Sequence, residues 1–221
     1  TILAAVNEVA GAFALLNVDL IFNFPSQTEA MLARDIELVK SSGADQVTCY
    51  PLMASRAQQR ALLRAVGAID HGREARFYHR IVSGLDDVFH LSSAWCFTRR
   101  GRTLIDEYIV DQDEYVGVGS GAFSYLDGSV YANTFSLSAY RAMVDAGRSS
   151  VTAMKHFTPH EQMQYTLLMA LHALRLDKAA FRARHGVSPE RGLPLEMAFM
   201  RLAGAFERDD DAAITLTPAG R

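Results

Sequence analysis

The chain has 221 residues, 49% of them hydrophobic, and a formal net charge of -3. A chain of this size and composition can bury a core and fits one large domain or one and a half. The small negative charge, with arginines scattered among acids, argues against a nucleic-acid partner. Because no apolar stretch reaches the roughly 18 residues that span a bilayer, and no signal-peptide pattern opens the chain, we predict a cytoplasmic protein without a membrane span.

The chain contains two cysteines, Cys49 and Cys96. Each stands in an apolar segment, which predicts a buried thiol. Two cysteines so far apart cannot form the Cys-x-x-x-Cys-x-x-Cys motif that leaves one iron of a cluster open to a cofactor. Since Thr1 is not an initiator methionine and both ends interrupt predicted elements, we interpret the chain as a fragment that is cut at both ends.

The first part of the chain predicts an alternation of helices and strands. Apolar residues at helical spacing predict a helix over 4–16, and Thr28 is the expected N-cap of a second helix. Apolar runs over 16–22 and 46–52 predict two buried strands. A strand, helix, strand unit of this length predicts a parallel pair joined by a right-handed crossover, and therefore an α/β fold.

Asp19 is the anomaly of the first strand, because it follows Val18 and precedes Leu20 in a run that we predict to be buried on both faces. A buried carboxylate costs several kcal/mol unless it is paired or hydrogen-bonded. Two interpretations stay open. Either backbone amides satisfy Asp19, or it meets a ligand at the C-terminal end of the strand, where ligands bind in parallel α/β folds.

The middle of the chain begins helical and then becomes extended. Two helices and two strands are predicted, over residues 55–71, 74–85, 88–98 and 104–110. Ser55 and Gln58 form a capping box that opens the first of these helices. The basic run over 99–102 is more typical of a solvated loop than of an anion site.

Residues 115–126 carry Gly117, Gly119 and Gly121 inside a predicted strand. Glycines weaken a strand, so their expected use is to let another backbone or a ligand approach closely. The stretch is not a phosphate loop, because no Gly-Lys-Ser/Thr follows, and its spacing does not match the dinucleotide fingerprint.

From about residue 137 the chain is mainly helical. Helices are predicted over 138–146, 161–176, 178–185 and 195–206, followed by a strand over 213–216. Helices that end in a strand hairpin outline a winged-helix-like module. A nucleic-acid-binding regulator of that type would need a basic recognition helix, but Arg201 is the one basic residue over 195–206.

Other candidate constellations carry weaker signals. His156 and His160 are four apart, but Pro159 lies between them at the expected helix start, which argues against a metal site. Ser120 and Ser124 have no accompanying His and Asp pair, so nucleophilic hydrolysis has no support. The acidic residues over 106–114 are equally compatible with acid/base chemistry and with a solvated loop.

Residues 19–28, DLIFNFPSQT, resemble the Asp-Leu-Ile-Tyr-Gly-Leu-Pro-x-Gln-Thr signature of the oxygen-independent coproporphyrinogen III oxidase family. This family belongs to the radical S-adenosylmethionine enzymes and includes related haem chaperones. Phe22, Asn23 and Phe24 depart from the signature. Further resemblance lies in the glycine stretch, through Gly117, Gly119, Ala122 and Ser124, and in the C-terminal Leu174-Arg175-Leu176 and Leu216-Thr217.

The resemblance implies a fold and a function. Residues 1–135 would form the C-terminal part of a partial (β/α) barrel, and residues 136–221 a truncated helical, winged-helix-like domain. The activity would be the oxidative decarboxylation of coproporphyrinogen III by a radical S-adenosylmethionine enzyme of porphyrin and haem biosynthesis. Its [4Fe-4S] cluster would be held by residues outside this chain, so the fragment alone would be inactive. A haem-binding chaperone and a radical enzyme acting on haem are the alternatives.

The resemblance also implies site residues, although it assigns no catalytic residue. Asp19 would bind S-adenosylmethionine, and Met53, just past the next strand, would contact the same ligand through its backbone. Leu52 and Asn23 are added to this cofactor set. Candidate residues of a pocket for a porphyrin or haem are Gly119, Gly121 and Tyr50.

Overall fold

The computed structural model describes residues 2–53, 59–103, 113–218 and 220. The chain divides into two compact units, Thr1–Asp106 and Glu107–Arg221, which we describe separately. The domain boundary expected between residues 135 and 136 stays a prediction. The elements on both sides of that position belong to the second unit.

The first unit combines four helices and four strands in its described residues. In chain order these are α1 (Ile2–Val9), β1 (Asn17–Phe22), α2 (Glu29–Ser41), β2 (Gln46–Pro51), α3 (Gln59–Val66), α4 (His71–Leu85), β3 (Phe89–Leu91) and β4 (Cys96–Arg99). The strands form one sheet in the order β1-β2-β4-β3. β1 pairs with β2 in parallel, as predicted, and the other two pairings are antiparallel. The predicted α/β class is confirmed, with a mixed sheet.

The core of the first unit lies between one face of this sheet and helices α2 and α4. Phe22 and Val47 of the sheet pack with Leu32 and Ile36 of α2 and with Ile81 of α4. Thr28 caps α2 as expected, because its hydroxyl accepts a hydrogen bond from the N–H of Met31 at 3.2 Å. Within the described residues, the helices that pack on the sheet, α2 and α4, cover one of its faces.

Burial of β1 on both faces was therefore a wrong prediction. Along the strand, Val18, Leu20 and Phe22 are at least partly buried, whereas Asp19 and Ile21 on the opposite face are exposed. Successive side chains of a strand point to opposite faces, so one-sided cover produces this alternation.

The helices that follow β2 differ from the prediction over 55–71. The helix α3 ends at Val66, before Gly67 with φ +98°. The next helix, α4, begins at His71, because the side chain of Asp70 accepts a hydrogen bond from the N–H of Arg73 at 2.9 Å. The predicted capping pair, Ser55 and Gln58, and the predicted strand over 104–110 lie outside the described residues.

In its described residues, the second unit contains two three-stranded antiparallel sheets. Its described elements are β5 (Phe123–Leu126), β6 (Ser129–Asn133), α5 (Leu137–Asp145), β7 (Val151–His156), α6 (Pro159–His172), β8 (Arg175–Asp177), α7 (Lys178–His185), α8 (Pro189–Gly192), α9 (Pro194–Leu202), β9 (Phe206–Asp209) and β10 (Ala213–Leu216). The sheet orders are β5-β6-β7 and β8-β10-β9.

Each predicted C-terminal helix and the predicted strand are present, two of the helices end earlier, and β7, β8 and α8 were not predicted. The helix α7 and the strand β10 have the predicted bounds, and Gly186 caps α7 with φ +74°. The helix α6 ends at His172, because Leu174 has φ +66° and the chain then forms β8. The helix α9 ends at Leu202, and β9 begins at Phe206 after Gly204 with φ +65°.

The glycine stretch is a loop for most of its length. Only Phe123–Leu126 is a strand, and Tyr115 adds a single antiparallel bridge to Tyr125. Gly119 and Gly121 have φ +111° and +74°, which a side chain would disfavour. A Cβ atom at Gly117 would overlap the carbonyl oxygen of Phe123, so the predicted close approach of a second backbone segment is confirmed at this glycine.

Candidate functional site

The first unit has a polar sheet face, which we define as the face opposite α2 and α4. The strand register aligns Asp19 with Thr48, Thr48 with Cys96, and Gln46 with Thr98. Thr48, Gln46 and Thr98 are buried, whereas Asp19 on the edge strand β1 is exposed. The polar sheet face is therefore accessible along β1.

A chain of hydrogen bonds crosses the polar sheet face from β2 to β1. The hydroxyl of Thr48 donates to Oδ1 of Asn17 at 3.2 Å, and Nδ2 of Asn17 donates to Oδ1 of Asp19 at 2.9 Å. Thr48 is 3% exposed, so the chain begins in the interior and ends at an accessible carboxylate. Asn17 and Thr48 were not among the predicted site residues. The period-two alternation of NVD and QVT could have revealed them.

Asp19 does not occupy the environment that first drew attention to it. It is the third residue of β1 rather than its C-terminal end, and it is exposed rather than buried. The desolvation cost predicted for a buried Asp19 is therefore absent. What remains is a carboxylate with one oxygen held by Asn17 and with solvent access for a ligand.

The loop after β1 is held from α4 by a single arginine. Asn23 is fully buried with φ +69°, and its Oδ1 accepts from Nε of Arg73 at 2.9 Å. The two terminal nitrogens of Arg73 donate to the backbone oxygens of Asn23, Phe24, Pro25 and Gln27. All five donor hydrogens of the guanidinium can thus serve this loop.

Asn23 makes further contacts with its own chain. Its N–H donates to Oε1 of Gln27 at 2.7 Å, and its Nδ2 donates to the carbonyl oxygen of Asp70 at 3.1 Å. The Asn23 side chain is therefore used to hold the loop, and its expected role toward a cofactor stays a prediction.

The other cofactor residues lie at the C-terminal end of β2. The N–H of Leu52 donates to the carbonyl oxygen of Phe22 at 2.8 Å, which continues the ladder for one step, and Met53 beyond it is 60% exposed. Met53 follows Thr48, the register partner of Asp19, by five residues, or about 16 Å along a strand. The structure does not bring Asp19 and Met53 together, and only an extended ligand could contact both.

Between these two points the accessible surface becomes apolar. Ile21, which is 48% exposed, is aligned with Tyr50, and the Tyr50 ring packs edge-on against Trp95 with centroids 5.6 Å apart. We call Asp19, Ile21 and Tyr50, leading to Met53, the open strip. It offers a hydrogen-bond acceptor at one end and apolar surface at the other.

The two predicted pocket glycines, Gly119 and Gly121, lie in the second unit. The carbonyl oxygen of Gly119 accepts a hydrogen bond from Nδ2 of Asn133 at 2.9 Å, and the N–H of Gly121 donates to the carbonyl oxygen of Thr134 at 2.9 Å. A shallow cavity of about 400 Å³ is lined by neighbouring residues that include Gly117 and Asn133. The glycines are needed for the loop, and their role toward a substrate stays a prediction.

A larger cavity of about 760 Å³ in the second unit was not foreseen. Tyr165 and Phe181 line it, together with Arg184, which forms an ion pair with Asp113 at 2.6 Å. Next to Arg184, burial lowers the pKa of His185, and this ring hydrogen-bonds to the hydroxyl of Thr166 at 2.9 Å. The residues come from distant parts of the unit, which is why no local pattern revealed the cavity.

The cysteines do not fit a metal or cluster site. Cys49 and Cys96 are both buried, as predicted, and burial raises the pKa of the Cys49 thiol. A neutral buried thiol is a poor ligand. Over the described ranges, no group of three or more His, Cys, Asp or Glu side chains is arranged to hold a metal ion.

His156 and His160 lie on different elements, since Pro159 is the first residue of α6 as expected. Nδ1 of His156 lies 2.9 Å from the Ser129 hydroxyl, and Nε2 of His160 lies 3.1 Å from Glu196.

The basic turn has structural partners. Nε of Arg99 donates to the carbonyl oxygen of Ala44, and its Nη2 donates to that of Ser42, both at 2.8 Å. Arg100 pairs with Asp86 at 3.0 Å. The turn thus joins the end of α2 to the sheet.

Comparison with known structures gives a radical S-adenosylmethionine enzyme as a structural relative. It is coproporphyrinogen III oxidase (HemN) from Escherichia coli, and the two structures superpose with a TM-score of 0.77 at 17% sequence identity. The match covers 100% of this chain and 55% of that chain, so this chain spans about half the length of the enzyme. At this identity the similarity shows a common fold, and it confirms the resemblance seen in the sequence at that level.

No protein-family model matches the sequence, and no curated protein matches it. Among the described residues, no helix has the length and apolar character needed to cross a membrane.

Proposed function

We propose that this chain is part of a radical S-adenosylmethionine enzyme that acts on a porphyrin-type substrate. The observation that carries the proposal is the position of the DLIFNFPSQT segment, in a chain whose whole length shares the fold of coproporphyrinogen III oxidase. This segment supplies the accessible Asp19 on β1 and the loop that Arg73 holds. Because one fold can serve many reactions, the fold alone would not support an activity.

In this proposal the first unit is the C-terminal part of a partial (β/α) barrel, with the polar sheet face as its interior. The C-terminal elements form a winged-helix-like module. Their order, α6, β8, α7, α9, β9 and β10, and the sheet order β8-β10-β9 support this assignment.

The open strip suits S-adenosylmethionine. The free oxygen of Asp19 can accept hydrogen bonds from hydroxyl or amino groups of the cofactor, and Ile21 and Tyr50 offer apolar surface for its adenine ring. The backbone of Leu52 and Met53 would contact the other end of an extended ligand. When bound, S-adenosylmethionine supplies the oxidising power for hydrogen abstraction from the substrate.

The cysteines of this chain do not fit an iron–sulfur cluster, so we assign no step of the reaction to them. A [4Fe-4S] cluster would need ligands outside this chain. The role of the chain itself is to bind and orient the cofactor on a rigid sheet.

The substrate that we propose first is coproporphyrinogen III, whose propionates would undergo oxidative decarboxylation. Haem is a second candidate, as the substrate of a radical enzyme or the cargo of a chaperone. Haem is included because Phe22, Asn23 and Phe24 depart from the oxidase signature.

The test uses the intact protein, reconstituted anaerobically with iron and sulfide and supplied with dithionite as the electron donor. We expect reductive cleavage of S-adenosylmethionine that is stimulated by one tetrapyrrole, measured by chromatography with coproporphyrinogen III and haem supplied in parallel. Formation of decarboxylated porphyrinogen would identify an oxidase, and chemical consumption of haem would identify a radical enzyme that acts on haem. Haem binding without cofactor cleavage would indicate a chaperone and would contradict an enzymatic role.

Asp19→Asn tests the cofactor site. Loss of a charged hydrogen bond should weaken S-adenosylmethionine binding by about 1.5–3 kcal/mol, measured by calorimetry. The melting temperature of the cofactor-free protein should change little, because Asp19 is exposed. Asp211→Asn, at an exposed carboxylate in the turn between β9 and β10, is the matched control. Unchanged affinity in Asp19→Asn would remove Asp19 from the site.

A further inference from the structure

The carboxylate of Asp19 is held by a residue of its own strand. Asn17 precedes it by two positions, so both side chains lie on the polar sheet face. Nδ2 of Asn17 donates to Oδ1 of Asp19 at 2.9 Å. An exposed carboxylate usually rotates freely, whereas this contact selects one orientation and leaves Oδ2 available to a ligand.

The amide of Asn17 is itself oriented from the interior. Its Oδ1 accepts from the hydroxyl of Thr48 at 3.2 Å, and Thr48 is buried at 3% exposure. The reversed amide would place its oxygen against the carboxylate of Asp19, which is electrostatically unfavourable. Because a hydroxyl can donate or accept, it is the carboxylate of Asp19 that selects the orientation in which nitrogen faces the acid, and the hydroxyl of Thr48 then anchors the amide oxygen.

We infer that Asn17 is a positioning residue for Asp19, and that Thr48 orients Asn17. The buried hydroxyl and the amide together preset the carboxylate for a ligand that donates hydrogen bonds, such as a ribose diol or an amino group. This inference rests on the proposed function, since it takes S-adenosylmethionine as the ligand of Asp19. Presetting a side chain saves the entropy of ordering it on binding, which predicts a roughly two- to tenfold gain in affinity.

A double-mutant cycle in the intact protein tests the inference, with S-adenosylmethionine affinity measured by calorimetry. Asn17→Ala should weaken binding roughly two- to tenfold. Asp19→Ala should weaken it more. Because Asn17 acts through Asp19, adding Asn17→Ala to Asp19→Ala should produce no further loss. Asn7→Ala removes an exposed asparagine of α1, whose Oδ1 accepts from the N–H of Gly43, and should leave the affinity unchanged.

Thr48 provides a second test that does not depend on the stability of Asn17→Ala. Thr48→Val removes the hydroxyl and keeps the shape of the side chain, so it should weaken S-adenosylmethionine binding. Thr48→Ser keeps the hydroxyl and should retain the wild-type affinity. Melting temperatures of the cofactor-free variants separate these effects from loss of folding.

The outcomes distinguish the inference from the proposed function. If Asp19→Ala weakens binding but Asn17→Ala does not, or if the two losses add, Asn17 does not act through Asp19 and the inference is wrong while the cofactor site stands. If Asp19→Ala leaves the affinity unchanged, the cofactor site and the inference both fail. Equal affinities of Thr48→Val and Thr48→Ser for S-adenosylmethionine would show that the Thr48 hydroxyl does not orient Asn17.

Discussion

Each unit contains a cation that holds a polar cluster together, and the two clusters are built differently. In the first unit, Arg73 directs its guanidinium to neutral oxygens of the loop after β1. In the second unit, Lys178 at the start of α7 donates to Glu190 of α8 and to Asp209 of β9. The first cluster depends on the planar geometry of arginine, and the second depends on opposite charge.

The difference follows from what each cluster must hold. The loop after β1 presents backbone oxygens in several directions, and a fork of five donors can reach them from one position. The carboxylates of the second unit need a compact charge in a confined space, and the Lys178 side chain is 9% exposed. Arg201 also contacts Asp209, at 2.6 Å, so this cluster is shared between two cations. Geometry is therefore expected to be critical in the first unit and charge in the second.

Replacing Arg73 should have the largest effect. Arg73→Ala removes five hydrogen bonds from one loop and should lower the free energy of unfolding by about 2–4 kcal/mol, because partly buried acceptors lose their donor. Arg73→Lys keeps the charge and should recover less than half of the loss. Chemical denaturation measures both. Full recovery by lysine would mean that charge rather than geometry holds the loop.

Asn23 should come next, because it combines an unusual backbone with buried contacts. Asn23→Ala loses the bond to Arg73 and places alanine at φ +69°, so we expect a loss of about 2–3 kcal/mol. Asn23→Gly keeps the backbone relaxed and should lose about 1 kcal/mol less. Thermal melting compares the two. Equal losses would show that the left-handed backbone has no energetic role.

Lys178→Met should lower the free energy of unfolding by about 1–2 kcal/mol. This is less than for a cation that is the sole partner of its carboxylates, because Arg201 continues to pair with Glu190 and Asp209. Differential scanning calorimetry measures the loss at pH 7. Lys178→Arg, which keeps the charge, is the control and should lose less than Lys178→Met. A larger loss with arginine would mean that shape, not charge, dominates this cluster as well.

Lowering the pH should also distinguish the two clusters, and we expect this to be the smallest of the effects. The hydrogen bond from Arg201 lowers the pKa of Asp209. Burial alone would raise the pKa of Glu190, but the hydrogen bond from Lys178 opposes it, and the net pKa is lowered. A carboxyl with a lowered native pKa contributes stability above its unfolded pKa, and that stability is lost as the pH falls through the native pKa. Below about pH 4 the stability difference between wild type and Lys178→Met should therefore shrink.

The loss caused by Arg73→Ala should change less over the same range, because the side-chain hydrogen bonds of Arg73 go to carbonyl and amide oxygens. The pKa of Asp70 is lowered mainly by the backbone N–H of Arg73, which alanine retains, and only slightly by the Arg73 charge. Melting temperatures of the three proteins at pH 7 and pH 3 test this contrast. A parallel decrease of both losses with falling pH would contradict it.

Local sequence determined much of the secondary structure. The Thr28 cap of α2, the bounds of α7 and the parallel β1 and β2 pair were all predicted, because caps, helix ends and crossover lengths depend on residues close in the chain. The fold relationship was also accessible from a ten-residue segment. Asn23 replaces the glycine of that signature, and its φ of +69° explains the exchange, since both residues tolerate a left-handed backbone.

Only the tertiary structure decided which side of β1 is covered and what holds its site. An apolar run does not reveal whether one or two layers pack against it, so Asp19 was expected to be buried and is instead exposed. The partners of Arg73 lie about 50 residues away along the chain, and Thr48 lies 31 residues from Asn17. Such contacts depend on strand register and helix packing, which no local pattern specifies. The sequence by itself thus identified the strand and its acid, and the packed sheet determined the environment of that acid.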